Sequence, residues 1–146
     1  MTNKLITLAC ASLLTMSYAQ ISSADNNHHH QGTKNCSLKT LKGSYLFSSS
    51  GKDLNADFAN AGIARFNGAG AVTQISSSTN SAVTPVINVK YTGTYTIEPD
   101  CTGTLQLNDK AINYSIFVSK DGSLLNFIQT DAGFILSGEG KRTASK

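Results

Sequence analysis

Val86-Ile87-Asn88-Val89-Lys90-Tyr91-Thr92-Gly93-Thr94-Tyr95-Thr96-Ile97-Glu98 decides the fold. Ile87, Val89, Tyr91, Gly93, Tyr95 and Ile97 fall on one face, and Asn88, Lys90, Thr92, Thr94 and Thr96 on the other. Apolar and polar residues that alternate with a period of two describe a strand buried on one side. β-branched and aromatic residues suit that pleated surface. Downstream, Pro99-Asp100-Cys101-Thr102-Gly103 reads as a turn. Upstream, the polar stretch 76–84, ended by Pro85, reads as a loop.

Shorter strands flank this one. Segments 44–49, 58–66, 71–77, 104–108, 111–119, 124–130 and 134–138 each carry a β-rich run between Gly, Asn and Asp positions. Residues 37–41 predict one turn of helix before the first strand. Ala59, Ala61, Gly62 and Ala64 allow the second strand to bend sharply. Asn67-Gly68-Ala69-Gly70 and Asp131-Ala132-Gly133 are turns. Lys120-Asp121-Gly122-Ser123 carries the Asp-Gly pair suited to a type I′ hairpin. Eight strands with hairpin-length connections predict an all-β fold, and closure removes the exposed edges. The expected architecture is an eight-stranded antiparallel up-and-down barrel over residues 36–142. A two-sheet sandwich is the alternative.

Of the 146 residues, 40% are hydrophobic and 14% charged. The charged share is well under the roughly 25% of average soluble domains, and a coiled coil needs more Glu, Lys and Arg. No apolar run reaches the about 18 residues of a transmembrane helix. Lys4 followed by a short apolar stretch and Ser17-Tyr18-Ala19 reads as a signal peptide over 1–19, with cleavage after Ala19 or, alternatively, Ala24. The expected location is therefore periplasmic or extracellular. Cys10 leaves with that segment. Residues 20–35, polar and holding His28, His29 and His30, read as a flexible leader, and 143–146 as a basic tail. Without residues 1–19, eleven basic residues face nine acidic ones, and Lys141, Arg142 and Lys146 sit in the last six positions. The remaining body is near neutral, and no run interleaves Arg or Lys with aromatics, so nucleic acid is not an expected partner.

Cys36 and Cys101 remain after export, and an even pair in an oxidising compartment predicts a disulfide. Catalysis lacks its parts. No histidine follows His30 to serve as a base. Asp100, Asp121 and Asp131 sit at turns, where Asp bonds its own backbone. No calcium loop, phosphate loop or metal-ligand set appears, so no cofactor or metal is expected.

Cys36-x4-Leu41-x-Gly43-x-Tyr45-x-Phe47, Phe66-x-Gly68-x-Gly70 and Gly93-x-Tyr95-x-Ile97-x-x-Asp100-Cys101-x-Gly103 together resemble a group of uncharacterised exported bacterial proteins. Their barrel is similar to that of allene oxide cyclase, within the lipocalin-like class. The resemblance implies the barrel and, by analogy of fold, a small apolar ligand. No catalytic residue of the cyclase matches a position here, so its isomerase activity is kept only as a remote option.

An eight-stranded barrel is either filled by its own side chains or holds one small ligand. For the second case the candidate ligand-binding residues are Tyr45, Tyr91 and Tyr95, whose hydroxyls would orient an apolar or amphipathic molecule. Arg65 is the candidate for an acidic head group, against the plainer fate of reaching solvent. The function expected is a non-enzymatic, secreted ligand-binding barrel. The alternative is a solid barrel whose Ser/Thr/Asn-rich surface and 76–84 loop contact a protein or glycan.

Overall fold

The computed structural model describes residues 35–143. The expected signal peptide, Cys10, the histidine run and the end of the tail lie outside the described residues. A 3-10 turn, Leu38–Leu41, precedes eight strands: β1 (Gly43–Asp53), β2 (Ala56–Phe66), β3 (Ala71–Asn80), β4 (Val83–Ile97), β5 (Thr102–Leu107), β6 (Ile112–Val118), β7 (Leu124–Gln129) and β8 (Phe134–Arg142). Each strand pairs antiparallel with the next, and β8 returns to β1 from Tyr45 opposite Arg142 to Asp53 opposite Phe134. The sheet is a closed up-and-down barrel, not a sandwich. Closure gives every strand two partners, which removes the sheet edges except along Val83–Tyr91 of β4, whose ladder to β5 begins only at Gly93.

Tight curvature needs positions without a Cβ. A methyl on Gly62 would lie 2.1 Å from the Ile75 carbonyl oxygen, and one on Gly93 1.9 Å from that of Gln106. Both glycines sit on the concave face, where neighbouring backbones cross too closely for any side chain.

Three sequence expectations need correction. Residues 76–84 are not a loop: β3 runs on to Asn80, β4 starts at Val83, and only Ser81 and Ala82 connect them. Hydroxyl-rich strands look like loops in composition, but Ser76 and Ser78 face inward and the closed ladder holds them extended. The clean alternation of β4 also breaks. Ser76 pairs with Val89 and Ser78 with Val86, so two residues of β4 bulge opposite Ser77. Asn88 takes a left-handed φ of 54°, donates its N–H to Ser77 Oγ at 3.0 Å, and turns Ile87 out to solvent. Finally, the 120–123 turn is not type I′. Gly122 N–H donates to Ser119 O at 2.7 Å and only Gly122 has positive φ, so the turn centres on Lys120 and Asp121 with Gly122 as the left-handed residue after it.

The disulfide is present. Cys36 and Cys101 are bonded, with their Cα atoms 5.0 Å apart and 65 positions between them in sequence. Cys36 N–H also donates to Pro99 O at 3.2 Å. Together these bonds fasten the 3-10 turn to the β4–β5 connection. Among the described residues, no helix is long and apolar enough to cross a membrane.

Candidate functional site

The interior is divided along the barrel axis. At one end, Leu41 of the 3-10 turn is fully buried against Tyr45, Phe66, Val72 and Tyr95. Three rings stack edge to face there: Tyr45 on Phe66 at 5.4 Å and Phe66 on Tyr95 at 5.1 Å between centroids. Such pairs add about 0.5–1.5 kcal/mol beyond their burial. Tyr45 Oη donates to Gly122 O and accepts from Arg142 Nε and Nη2 at 3.1 and 3.0 Å. The Arg142 guanidinium also lies 5.5 Å from the Tyr45 ring centroid and donates to Thr40 O. Tyr95 Oη donates to Leu38 O at 2.9 Å. Burial pushes both phenols above their ordinary pKa, so each stays a neutral donor. Both hydroxyls are occupied in holding the 3-10 turn and the β6–β7 connection across the barrel end.

Midway along the axis, the interior leaves about 20 Å³ between Tyr45, Phe66, Leu105, Leu125, Phe127 and their neighbours, room for roughly one water. Above this the barrel opens into a cup of about 200 Å³. Its apolar wall is Phe58, Tyr91, Leu107, Ile112 and Phe134; its polar wall is Asn60, Gln74, Ser76, Ser78, Tyr114 and Gln129. Among the described residues, no Lys, Arg, His, Asp, Glu or Cys lines it. Ordinary ligand pockets measure about 300–1,000 Å³, so this cup encloses a small molecule or one end of a larger one.

The strands explain the contrast in lining. Inward positions of β3 nearer the closed end include Val72, and toward the open end they become Gln74, Ser76 and Ser78. Those of β7 go from Leu125 and Phe127 to Gln129. Both strands keep the period of two and change only their chemistry with height. Around the mouth, Asp131 accepts from Asn113 N and Nδ2 at 2.9 and 2.7 Å and from Gln129 Nε2 at 2.9 Å. The Asn113 bonds, chiefly, hold the Asp131 carboxyl below its usual pKa range. On the other side, Asn80 Nδ2 donates to Asp53 Oδ2 at 3.2 Å.

Of the four expected ligand residues, only Tyr91 reaches the cup. Tyr45 and Tyr95 lie in the packed end with their hydroxyls engaged, and Arg65 is exposed on the outer face of β2. Tyr114, not among the expected residues, also faces the cup. It stands on the alternating face of β6 and stacks edge to face on Phe127 at 5.6 Å. Burial, reinforced by the charge of Asp131 and by Tyr91, pushes its phenol up to about 12. The signal available in sequence was its place beside Ile112 and Ile116 in an inward row; its height along the axis was not.

A larger concavity, about 660 Å³, lies on the outer face of β6, β7, β8 and β1 between Phe117, Ile128, Ser137 and Ser48. It is shallow and open to solvent, and the barrel wall separates it from the cup.

No family model matches the sequence, and no curated protein does. A solved structure similar to this chain is a de novo designed fluorescence-activating β-barrel, at 13% identity, covering 73% of this chain and 96% of that one with a TM-score of 0.49.

Proposed function

We propose that this chain is an exported, non-enzymatic β-barrel that holds a small amphipathic molecule in its open half. The observation that carries this reading is the cup: a concave interior site with one aromatic-aliphatic wall and one wall of carboxamides and hydroxyls, lined among the described residues by no carboxyl, amine, guanidinium, imidazole or thiol. A barrel that served only as a solid scaffold would gain stability by filling this space with apolar side chains, as its other end does. Export is supported by the signal-like 1–19 segment and by the Cys36–Cys101 bridge, which is suited to an oxidising compartment. Membership of the exported group whose barrel is similar to allene oxide cyclase is part of the same proposal, resting on the bridged cysteines and the glycine-aromatic pattern.

The test is an NMR titration of the oxidised protein with naphthalene. Shifts should concentrate at Ser76, Tyr91, Tyr114 and Gln129 and vanish in Ser78→Trp, which fills the cup while leaving the packed end untouched. Shifts confined to Phe117 and Ile128 on the outer face would instead favour the surface-contact reading, for which that groove is the supporting feature. No shift anywhere would remove the ligand reading.

A further inference from the structure

The floor of the cup narrows the chemistry of its occupant. Asn60, Gln74 and Tyr114 line both the cup and the filled space beneath it, so they are the deepest wall that a ligand meets. Each keeps hydrogen-bonding capacity, and the kinds differ. Asn60 Oδ1 accepts from Ser49 Oγ at 2.8 Å, which leaves Nδ2 to donate. Gln74 Nε2 donates one N–H to Ser76 Oγ at 3.3 Å, which leaves its second N–H to donate and Oε1 to accept. On the adjoining wall, Gln129 Nε2 donates one N–H to Asp131, and its second N–H and Oε1 remain. The Tyr114 hydroxyl has no hydrogen-bond partner among the described residues and, with its pKa pushed up to about 12, stays a donor at any physiological pH. No side-chain nitrogen or oxygen shut off from solvent lacks a partner among the described residues, so these free ends open on the cavity.

The floor and the adjoining wall thus present neutral hydroxyl and carboxamide donors together with the free Gln74 and Gln129 carbonyls, with no charge. We infer that the cup takes an uncharged molecule bearing an amide-type edge, an N–H beside a C=O, on a flat apolar body, and that the amide edge enters first. This inference rests on the cup being the binding site. The ligand carbonyl accepts from Tyr114 and Asn60, and its N–H donates to Gln74 or Gln129. The apolar body stays against Phe58, Ile112 and Phe134 near the mouth. A carboxylate is disfavoured twice. It would lose its hydration with no cation in the lining to replace it, and it would leave the Gln74 and Gln129 carbonyls without a donor. Asp53 and Asp131 near the rim add repulsion.

Four probes of one shape test this: 2-naphthamide, methyl 2-naphthoate, 2-naphthoate and naphthalene, titrated at pH 7 into the oxidised protein and its Tyr114→Phe and Ser78→Trp variants. The amide should bind most tightly. The ester should be weaker by about three- to tenfold for its missing donor, and the carboxylate weaker still. Tyr114→Phe should weaken the amide and ester by about tenfold and leave naphthalene unchanged. That variant loses only an unpartnered hydroxyl, and an unchanged melting transition verifies its fold. Equal affinity for all four probes, with binding lost in Ser78→Trp, would overturn the amide inference and keep the cup as the site. Carboxylate binding tighter than amide binding would overturn it as well. No binding by any probe would overturn the cup reading itself.

Discussion

In the closed half of the barrel, Tyr45 and Tyr95 donate their hydroxyls to backbone carbonyls of distant segments; in the open half, the Tyr114 hydroxyl faces a cavity. The residue type is the same in both halves, and so is the inward direction of the ring. The difference lies in what stands opposite. The closed half has the 3-10 turn and the β6–β7 connection laid across it, so its polar atoms are satisfied within the chain. The open half has no such cover among the described residues, and its polar atoms are left to water or a ligand. A buried polar group that is already paired contributes to stability, whereas one kept available contributes to binding and leaves stability nearly unchanged. The comparison therefore assigns stability to the closed end and leaves the open end for the proposed recognition, and each end can be tested alone.

The largest effect should come from the bridge that ties the 3-10 turn down. Cys36→Ser and Cys101→Ser should each cost about 2–5 kcal/mol, and the double variant no more than either single. Urea denaturation of the three variants measures this. Costs that add would mean that the two sulfurs act separately and that the bridge does not hold the closed end. Alkylation before reduction should find neither thiol free in the exported protein.

Next in size is the hydroxyl that bridges three segments. Tyr45→Phe keeps the ring stacked on Phe66 but leaves the Gly122 carbonyl and the Arg142 guanidinium short of a partner. The expected cost is about 1–3 kcal/mol, read from chemical denaturation. Affinity for a cup ligand should be unaltered. A change in affinity larger than the change in stability would break the division between the ends.

These contacts explain what was legible in the sequence. The eight strands, their order and the closed sheet follow from short alternating runs and hairpin-length connections, which are local signals. The cysteine pair was legible from the even count that an expected export would leave. Height along the barrel was not. A period of two says which face a tyrosine takes, and Tyr45, Tyr91, Tyr95 and Tyr114 all face inward, but it does not say whether a partner waits there. That partner is remote: Gly122 lies 77 positions from Tyr45, and Leu38 lies 57 from Tyr95. The same limit hid the bulge at Asn88, because Ser77 on the facing strand fixes it. Arg65 follows the alternation of β2, where Ala64 and Phe66 take the inner face and Arg65 the outer one.

A smaller effect concerns acid. Asp121 closes the β6–β7 turn by accepting from Ser119 Oγ and from Ser123 N and Oγ at 2.6, 3.0 and 2.9 Å. These bonds, the one from Ser119 foremost, hold its pKa down to about 2. Asp131 at the open end is held below its ordinary value by Asn113. A carboxyl with a folded pKa below its unfolded value binds fewer protons when folded. Its stabilisation is present above about pH 4 and fades as pH falls through the folded pKa. For Asp121 that window runs from about 4 to about 2. Both groups are open to water, which screens their interactions and keeps the slope shallow. Melting temperature should fall over this window, and Asp121→Asn should flatten the fall. An unchanged slope in that variant would show that the turn bonds do not couple to folding.

The smallest expected effect on stability is the most discriminating. Tyr114→Phe deletes the same atom as Tyr45→Phe, from the same residue type, on the same inner face. Its ring contact with Phe127 survives, and no hydrogen bond among the described residues is lost. Denaturation should therefore change by no more than about 0.5 kcal/mol, the range of substitutions that leave no buried group unpaired. A slight gain is consistent with the argument, because the phenol is held in a partly dehydrated place with no partner to offset that cost. Side by side, the two variants measure what one hydroxyl contributes when the chain itself occupies it and when it stands free. If Tyr114→Phe costs as much as Tyr45→Phe, the open-half hydroxyl has a structural partner after all, and the recognition role assigned to it is lost.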